Sequence, residues 1–369
     1  MRKCFILIFI LLCFSFAPQV SAEEIDINDI YDSQFKASGA DKLEDALPDD
    51  VKEQLEKFDI SSSDFSFSES LNPKSAFGGI LNFFKSGFKA PLAAGCSVLA
   101  ILLFGAAVGG LATENKALKY AITIGITVVA ALPAVASINA TVQAVKAAGV
   151  FMLAFIPVFA ALLISGGKAL TAAGFSSIML ACTEAISALC SFVLVPLTGM
   201  QLALGIGAAV MPDINTLSIS KAIKKASGWT LTLASTVLLG LLGMQTIISG
   251  SADNLYSKTA KFIVGTAVPV VGTAVSEAIG TVKGCLKLLS SSVMIYGVVA
   301  LALIMLPVLA ELMIWRVTML ACSSVAEVLS QSKAAELLKA VDSAIAFILG
   351  ILVLIFVLFV ISLTIVSLV

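Results

Sequence analysis

Three carboxylates stand where a carboxylate is costly. Glu184 lies inside the apolar stretch Thr171 to Met211, Glu311 inside Val293 to Trp315, and Glu277 near the end of Phe262 to Gly280. In hydrocarbon, an ionised carboxylate at mid-helix costs at least about 2.5 to 3.5 kcal/mol. One use for such groups is a proton or cation relay, or the polar lining of a pore. The other is structural: an uncharged or lysine-paired carboxylate near an interface, holding two helices together. Glu311 precedes Arg316 by one helical turn and a half, which places it close to an interface. Four prolines, Pro157, Pro196, Pro269 and Pro307, interrupt the apolar runs and are candidate helix breaks, because proline removes a backbone donor and crowds the carbonyl four residues earlier.

Little else offers chemistry. The chain has no histidine, which removes the usual general base, metal ligand and pH switch. Ser218-x-x-Lys221 matches a hydrolase nucleophile motif in letters, but it recurs at Ser330-x-x-Lys333 with no accompanying S-D-N or K-T-G. Gly166-Gly167-Lys168 lacks the upstream glycine of a phosphate-binding loop. Of the 7 cysteines, Cys4 and Cys13 lie near the N-terminus; Cys96, Cys182, Cys190, Cys285 and Cys322 stand singly in or beside apolar runs and read as small core residues. No cluster has metal-ligand spacing, so neither cofactor nor catalysis is expected. No basic stripe with interleaved aromatics favours nucleic acid.

The elements that must carry these residues are membrane helices. The chain is 59% hydrophobic and 13% charged, against about 25% charge in soluble chains. Roughly 20 apolar residues cross a hydrocarbon core of about 30 Å. Runs of that order are 92–111, 120–138, 149–164, two within 171–211 hinged near Pro196, 229–248 and 293–315, with an uncharged 343–369 at the end. The segment 262–280 is either a weak span or a re-entrant one. The expected fold is all-α: a polytopic helical membrane protein of about seven or eight transmembrane segments. Two crossings within 171–211 put Lys221, Lys224 and Lys225 in the cytoplasm, as the positive-inside rule asks. The same count puts Lys116, Lys119 and Lys168 inside. Gly105 and Gly109 form a small-xxx-small pair suited to close helix approach.

Residues 1–22 read as a secretory signal peptide: Arg2 and Lys3, an apolar core from Phe5 to Phe16, then Val20-Ser21-Ala22. Residues 23–89 form an extracytoplasmic acidic segment with 15 acidic and 7 basic side chains. In it Leu47, Val51, Leu55 and Phe58 mark one short amphipathic helix with Pro48 at its start, and Ser61 to Ser70 reads as a linker. Phe77, Ile80, Leu81, Phe84 and Phe88 line one helical face. That face suits either an interfacial helix or an extension of the first span.

The bundle, 90–369, contains a candidate internal repeat, 150–261 against 262–369. It pairs Pro157 with Pro269, Pro196 with Pro307, and Ser218 to Ala222 with Ser330 to Ala334. Repeats with proline-broken helices are how many secondary transporters build a midplane site.

The stretch Lys261-Phe262-Ile263-Val264-Gly265, Pro269-Val270-Val271-Gly272, Val275-Ser276-Glu277-Ala278 and Val282-Lys283-Gly284-Cys285 resembles the stage III sporulation protein AE family. The layout resembles it too. The resemblance implies a non-enzymatic, multi-pass component of a sporulation channel apparatus, in the mother-cell membrane around the forespore. Its partners would be the other membrane proteins of that complex and the lipid bilayer, with no nucleic acid. No catalytic residues come with it. The rival expectation, from the residues alone, is a secondary transporter or permease using Glu184 and Glu311.

Overall fold

Helices that are apolar on nearly every side are held by burial against one another, not by an amphipathic stripe. The computed structural model of the chain describes residues 27–57, 88–111, 116–210, 219, 222–223, 225–241, 243–244 and 272–368. The expected signal peptide, the serine-rich linker, Phe58, the face from Phe77 to Phe84, Ser218, Lys221, Lys224 and Pro269 lie outside these residues. Among the described residues there is no strand. The helices are α1 (Ile27–Ser38), α2 (Asp49–Lys57), α3 (Lys89–Leu111), α4 (Lys116–Ser165), α5 (Ala169–Leu189), α6 (Val195–Val210), α7 (225–241), α8 (Gly272–Val328) and α9 (Ser332–Leu368). Five helical stretches are long and apolar enough to cross a membrane: α3, α4, α5 with α6, α8 and α9.

Several expected boundaries are absent. α4 is one helix of 50 residues, about 75 Å long. It joins the runs 120–138 and 149–164 and passes through Pro133 and Pro157. The intervening residues are alanine-rich, and Ala144, Val145 and Ala148 carry the buried stripe across them. Gln143 and Lys146 are exposed there, so the polarity that suggested a loop sits on one outer face. Phe155, Ile156 and Phe159 are buried on either side of Pro157; their packing sustains the turn that proline weakens. α8, with 57 residues, likewise runs through Pro307. Residues 316–341, between two of the expected spans, are the end of α8 and the start of α9, joined by a tight turn.

Two helical hairpins organise the bundle: α4 with α5–α6, and α8 with α9. Their turns have the same hydrogen bonds. Lys168 N–H donates to Leu163 O and Gly167 N–H to Ile164 O, each at 2.9 Å; Gln331 N–H donates to Ala326 O at 2.9 Å and Ser330 N–H to Glu327 O at 3.0 Å. This is the Schellman pattern, which needs a left-handed residue just past the helix. Gly167 (φ 83) and Ser330 (φ 57) supply it.

The hairpins run in opposite senses. Near the end of α4, Phe155 packs against Gly297 in the first half of α8. At the far end of α8, Gln331 donates to Leu102 O of α3 at 2.7 Å, and Gly105 of α3 abuts Ile122 near the start of α4. The two turns therefore lie at opposite ends of the molecule. Gly167 and Ser330 hold the same place in the two turns; Pro269, one member of the candidate repeat, lies outside the described residues.

The acidic segment packs onto the bundle. Tyr31 and Phe35 of α1, Leu43 and Leu47 between the helices, and Val51 and Leu55 of α2 are buried, against α4 and α8. A Cβ at Gly39 would lie 3.8 Å from Val158 of α4. On the outer side Lys57 Nζ donates to Glu53 Oε1 at 2.7 Å, and this pairing holds the Glu53 carboxyl below its ordinary range. The segment thus shares one end of the bundle with the turn at Gly167. The sequence predicts Lys168 and this segment on opposite sides; a single continuous α4 in place of two spans reverses that parity.

Candidate functional site

α5 does not pass into α6 as a regular helix. Cys190 to Leu194 form a π turn, with Val195 N–H bonded to Cys190 O. The cause is Pro196, which cannot donate to Phe192 O and would crowd it. The wider turn relieves that crowding, and Thr198 Oγ1 donates to Leu194 O at 2.7 Å. The break expected near Pro196 to Gly199 is therefore a bulge a few residues earlier, of the kind that often marks functional positions in helices.

Beyond the bulge, α6 lies antiparallel to α9. A Cβ at Gly205 would fall 2.5 Å from Ala340 Cβ, so the helices touch almost backbone to backbone. One turn away Gln201 Nε2 donates to Ser343 Oγ at 3.1 Å. Gln201 is 3% exposed, and its Oε1 has no donor among the described residues. The neighbouring Asp342 accepts from Arg316 Nε at 3.1 Å, the side chains being 13% and 34% exposed. Thr183 Oγ1 on α5 is also buried with no partner among the described residues. Buried acceptors left unmade cost about 1 to 3 kcal/mol each. Gln201 and Ser343, bonded between the hairpins, and the adjacent Arg316–Asp342 pair within the second form a polar seam. It offers hydrogen bonds and a shielded ion pair.

The family profile of stage III sporulation protein AE matches residues 63–369. The chain belongs to the stage III sporulation protein AE family. The matched region takes in all helices from α3 to α9 and excludes α1 and α2. The chain is 29% identical over 165 residues to the stage III sporulation protein AE of Bacillus subtilis (strain 168). That alignment covers 45% of this chain and 41% of the relative, so the chain spans about two fifths of the length of the curated relative it matches. No solved structure matches the chain.

The carboxylates singled out in this family member fall in separate places. Glu184 is exposed on α5. Glu311 is half-buried on α8 and accepts a 3.3 Å hydrogen bond from Trp315 Nε1, not from a lysine or from Arg316. No hydrogen bond or ion pair joins Glu184 to Glu311. Glu277 lies in the first turns of α8, and its side chain is outside the described residues. Gly105 does face a helix, Ile122 of α4. Cys182, Cys190, Cys285 and Cys322 are buried free thiols and Cys96 is exposed.

Sequence reasoning missed the seam. Arg316 and Asp342 stand equally far from Leu329, and a hairpin centred on that residue pairs them. Gln201 carried no such signal; it was one amide in an apolar run.

Proposed function

We propose that the chain is a membrane-embedded, non-enzymatic component of a trans-envelope channel or secretion assembly acting between mother cell and forespore, required for spore development. The family match over 63–369 carries this reading, and the five helices long enough to cross a membrane support it. In this reading a signal peptide directs 23–89 outside the cytoplasm. α1 and α2 then cover the outer ends of α4 and α8. The turn at Gly167 lies outside, and Lys116, Lys119 and the turn at Ser330 lie inside. The membrane is that of the mother cell around the forespore, and the partners are other membrane proteins of the same assembly. The test is mild solubilisation of sporulating cells carrying a tagged chain. The chain should migrate in a large complex with other integral membrane proteins made at the same stage, and its deletion should block spore formation. A chain that migrates alone, or whose loss leaves sporulation intact, would overturn the reading.

A secondary transporter is the second reading, and the oppositely oriented hairpins favour it, since inverted repeats are a common transporter architecture. It requires intramembrane carboxylates. Spore formation that survives Glu184→Gln combined with Glu311→Gln would remove its best residues.

A further inference from the structure

Two opposite charges sit unpaired on the outer surface of the apolar rods. Lys146 is the one residue with a basic or acidic side chain inside the stretch Ala121–Ser165 of α4, and Glu184 the one inside Ala169–Gly207 of α5 and α6. Both side chains are exposed. Neither forms an ion pair or hydrogen bond with another described residue.

They also share a depth. Gly149 of α4 faces Thr183 of α5, a Cβ at the glycine falling 3.9 Å from Thr183 Cγ2. Because the helices are antiparallel, Lys146 and Glu184 are both displaced from that contact in the same axial direction. At 1.5 Å per residue they differ in height by only about 3 Å. The rule that charged side chains in membrane helices face the bundle interior or a partner is broken at both places.

Copies of one chain in a bilayer are related by rotation about the membrane normal, which preserves depth. A pair formed between copies must therefore join groups at equal height, and these two satisfy that condition. The outer face of α5 suits a close neighbour as well: Ala173, Ser177, Ala181 and Ala185 are exposed at four-residue spacing beside Glu184. Small residues in that spacing let a second helix approach closely.

We infer that the chain self-associates in the membrane, with Glu184 of one copy paired to Lys146 of the next across the small-residue face of α5. Each charge then meets its opposite where hydrocarbon would otherwise face it. The inference does not depend on what the assembly transports.

The test uses the purified full chain in nanodiscs or mild detergent, with its mass read by light scattering. The wild type should be an oligomer. Glu184→Lys and Lys146→Glu should each be monomeric. Mixing those two variants before reconstitution should restore the oligomer, since one then offers lysine at both positions and the other glutamate at both. The double variant Glu184→Lys/Lys146→Glu should associate by itself, which also shows that the reversed charges permit folding. A monomeric wild type, single variants with wild-type mass, or a mixture that stays monomeric would each overturn the inference. Loss of the larger sporulation complex with the oligomer intact would instead count against the proposed function.

Discussion

The two hairpins close with the same turn and differ in almost everything else. At α4–α5 the left-handed position is Gly167; at α8–α9 it is Ser330. α9 returns as one unbroken helix of 37 residues, whereas the first hairpin returns through a π turn into α6. Ion pairs brace the arms of the second, Arg316 to Asp342 and Glu327 to Lys339. Among the described residues no ion pair joins α4 to α5 or α6. One geometry is thus reached twice: once by a permissive turn with a jointed return arm, once by a less permissive turn with braced arms.

The largest expected effect is at the point where the hairpins cross. A Cβ at Gly297 would meet Phe155 at 2.4 Å. Phe155 is buried and lies between Phe151 and Phe159, with ring centroids at 5.7 and 5.5 Å, so it has nowhere to go. Gly297→Leu should lower stability by about 3 kcal/mol or more, at the upper end for overpacking. Thermal unfolding in detergent, followed by tryptophan fluorescence, would show it. Partial recovery on adding Phe155→Ala would locate the clash. An unchanged melting temperature would mean that α4 and α8 do not cross there.

Next is the brace itself. Arg316→Ala leaves the Asp342 carboxylate with its main donor gone, and should cost about 2 kcal/mol. Replacing both, Arg316→Met with Asp342→Leu, should cost less than the single change, because no unpaired charge remains. If the double variant is the weaker of the two, the pair is stabilising beyond the repair of its own desolvation.

How far the sequence foretells this comparison depends on the element. The all-helical class and the apolar helices were legible, since runs of that length have few other solutions. So was the helix at Asp49–Lys57, announced by Pro48 and the spacing of Leu47, Val51 and Leu55. Helix continuity was not. Hydropathy marks where a chain turns polar, and Lys146 and Gln143 are polar without ending α4, because only the outer face changes. Proline was an equally poor guide: Pro157 and Pro307 lie within helices whose packing outweighs the missing donor, while Pro196 shifts the irregularity upstream of itself. The seam needed the antiparallel register of α6 and α9, a long-range fact that no local pattern encodes.

The turns predict effects of opposite sign. A non-glycine residue held left-handed costs roughly 1 to 2 kcal/mol, so Gly167→Ala should destabilise by about 1 kcal/mol and Ser330→Gly should stabilise by a similar amount, less the greater freedom glycine brings to the unfolded chain. Melting curves for the two variants should move in opposite directions. If both fall, the Ser330 hydroxyl is holding its turn in a way that the φ angle alone does not capture.

The smallest effect should come from the pair near the tip of the second hairpin. Lys339 Nζ donates to Glu327 Oε1, but the side chains are 56% and 53% exposed. Exposed pairs of this kind contribute about 0 to 1 kcal/mol and weaken with salt. Glu327→Gln should therefore lower the melting temperature slightly in dilute buffer and not at all in about 1 M salt, where the screening length falls to about 3 Å. Arg316→Ala, acting on a carboxylate mostly withdrawn from solvent, should keep the larger share of its effect under the same salt. Should the two variants respond to salt alike, the brace at Asp342 is open to water, and the second hairpin loses the feature that sets it apart from the first.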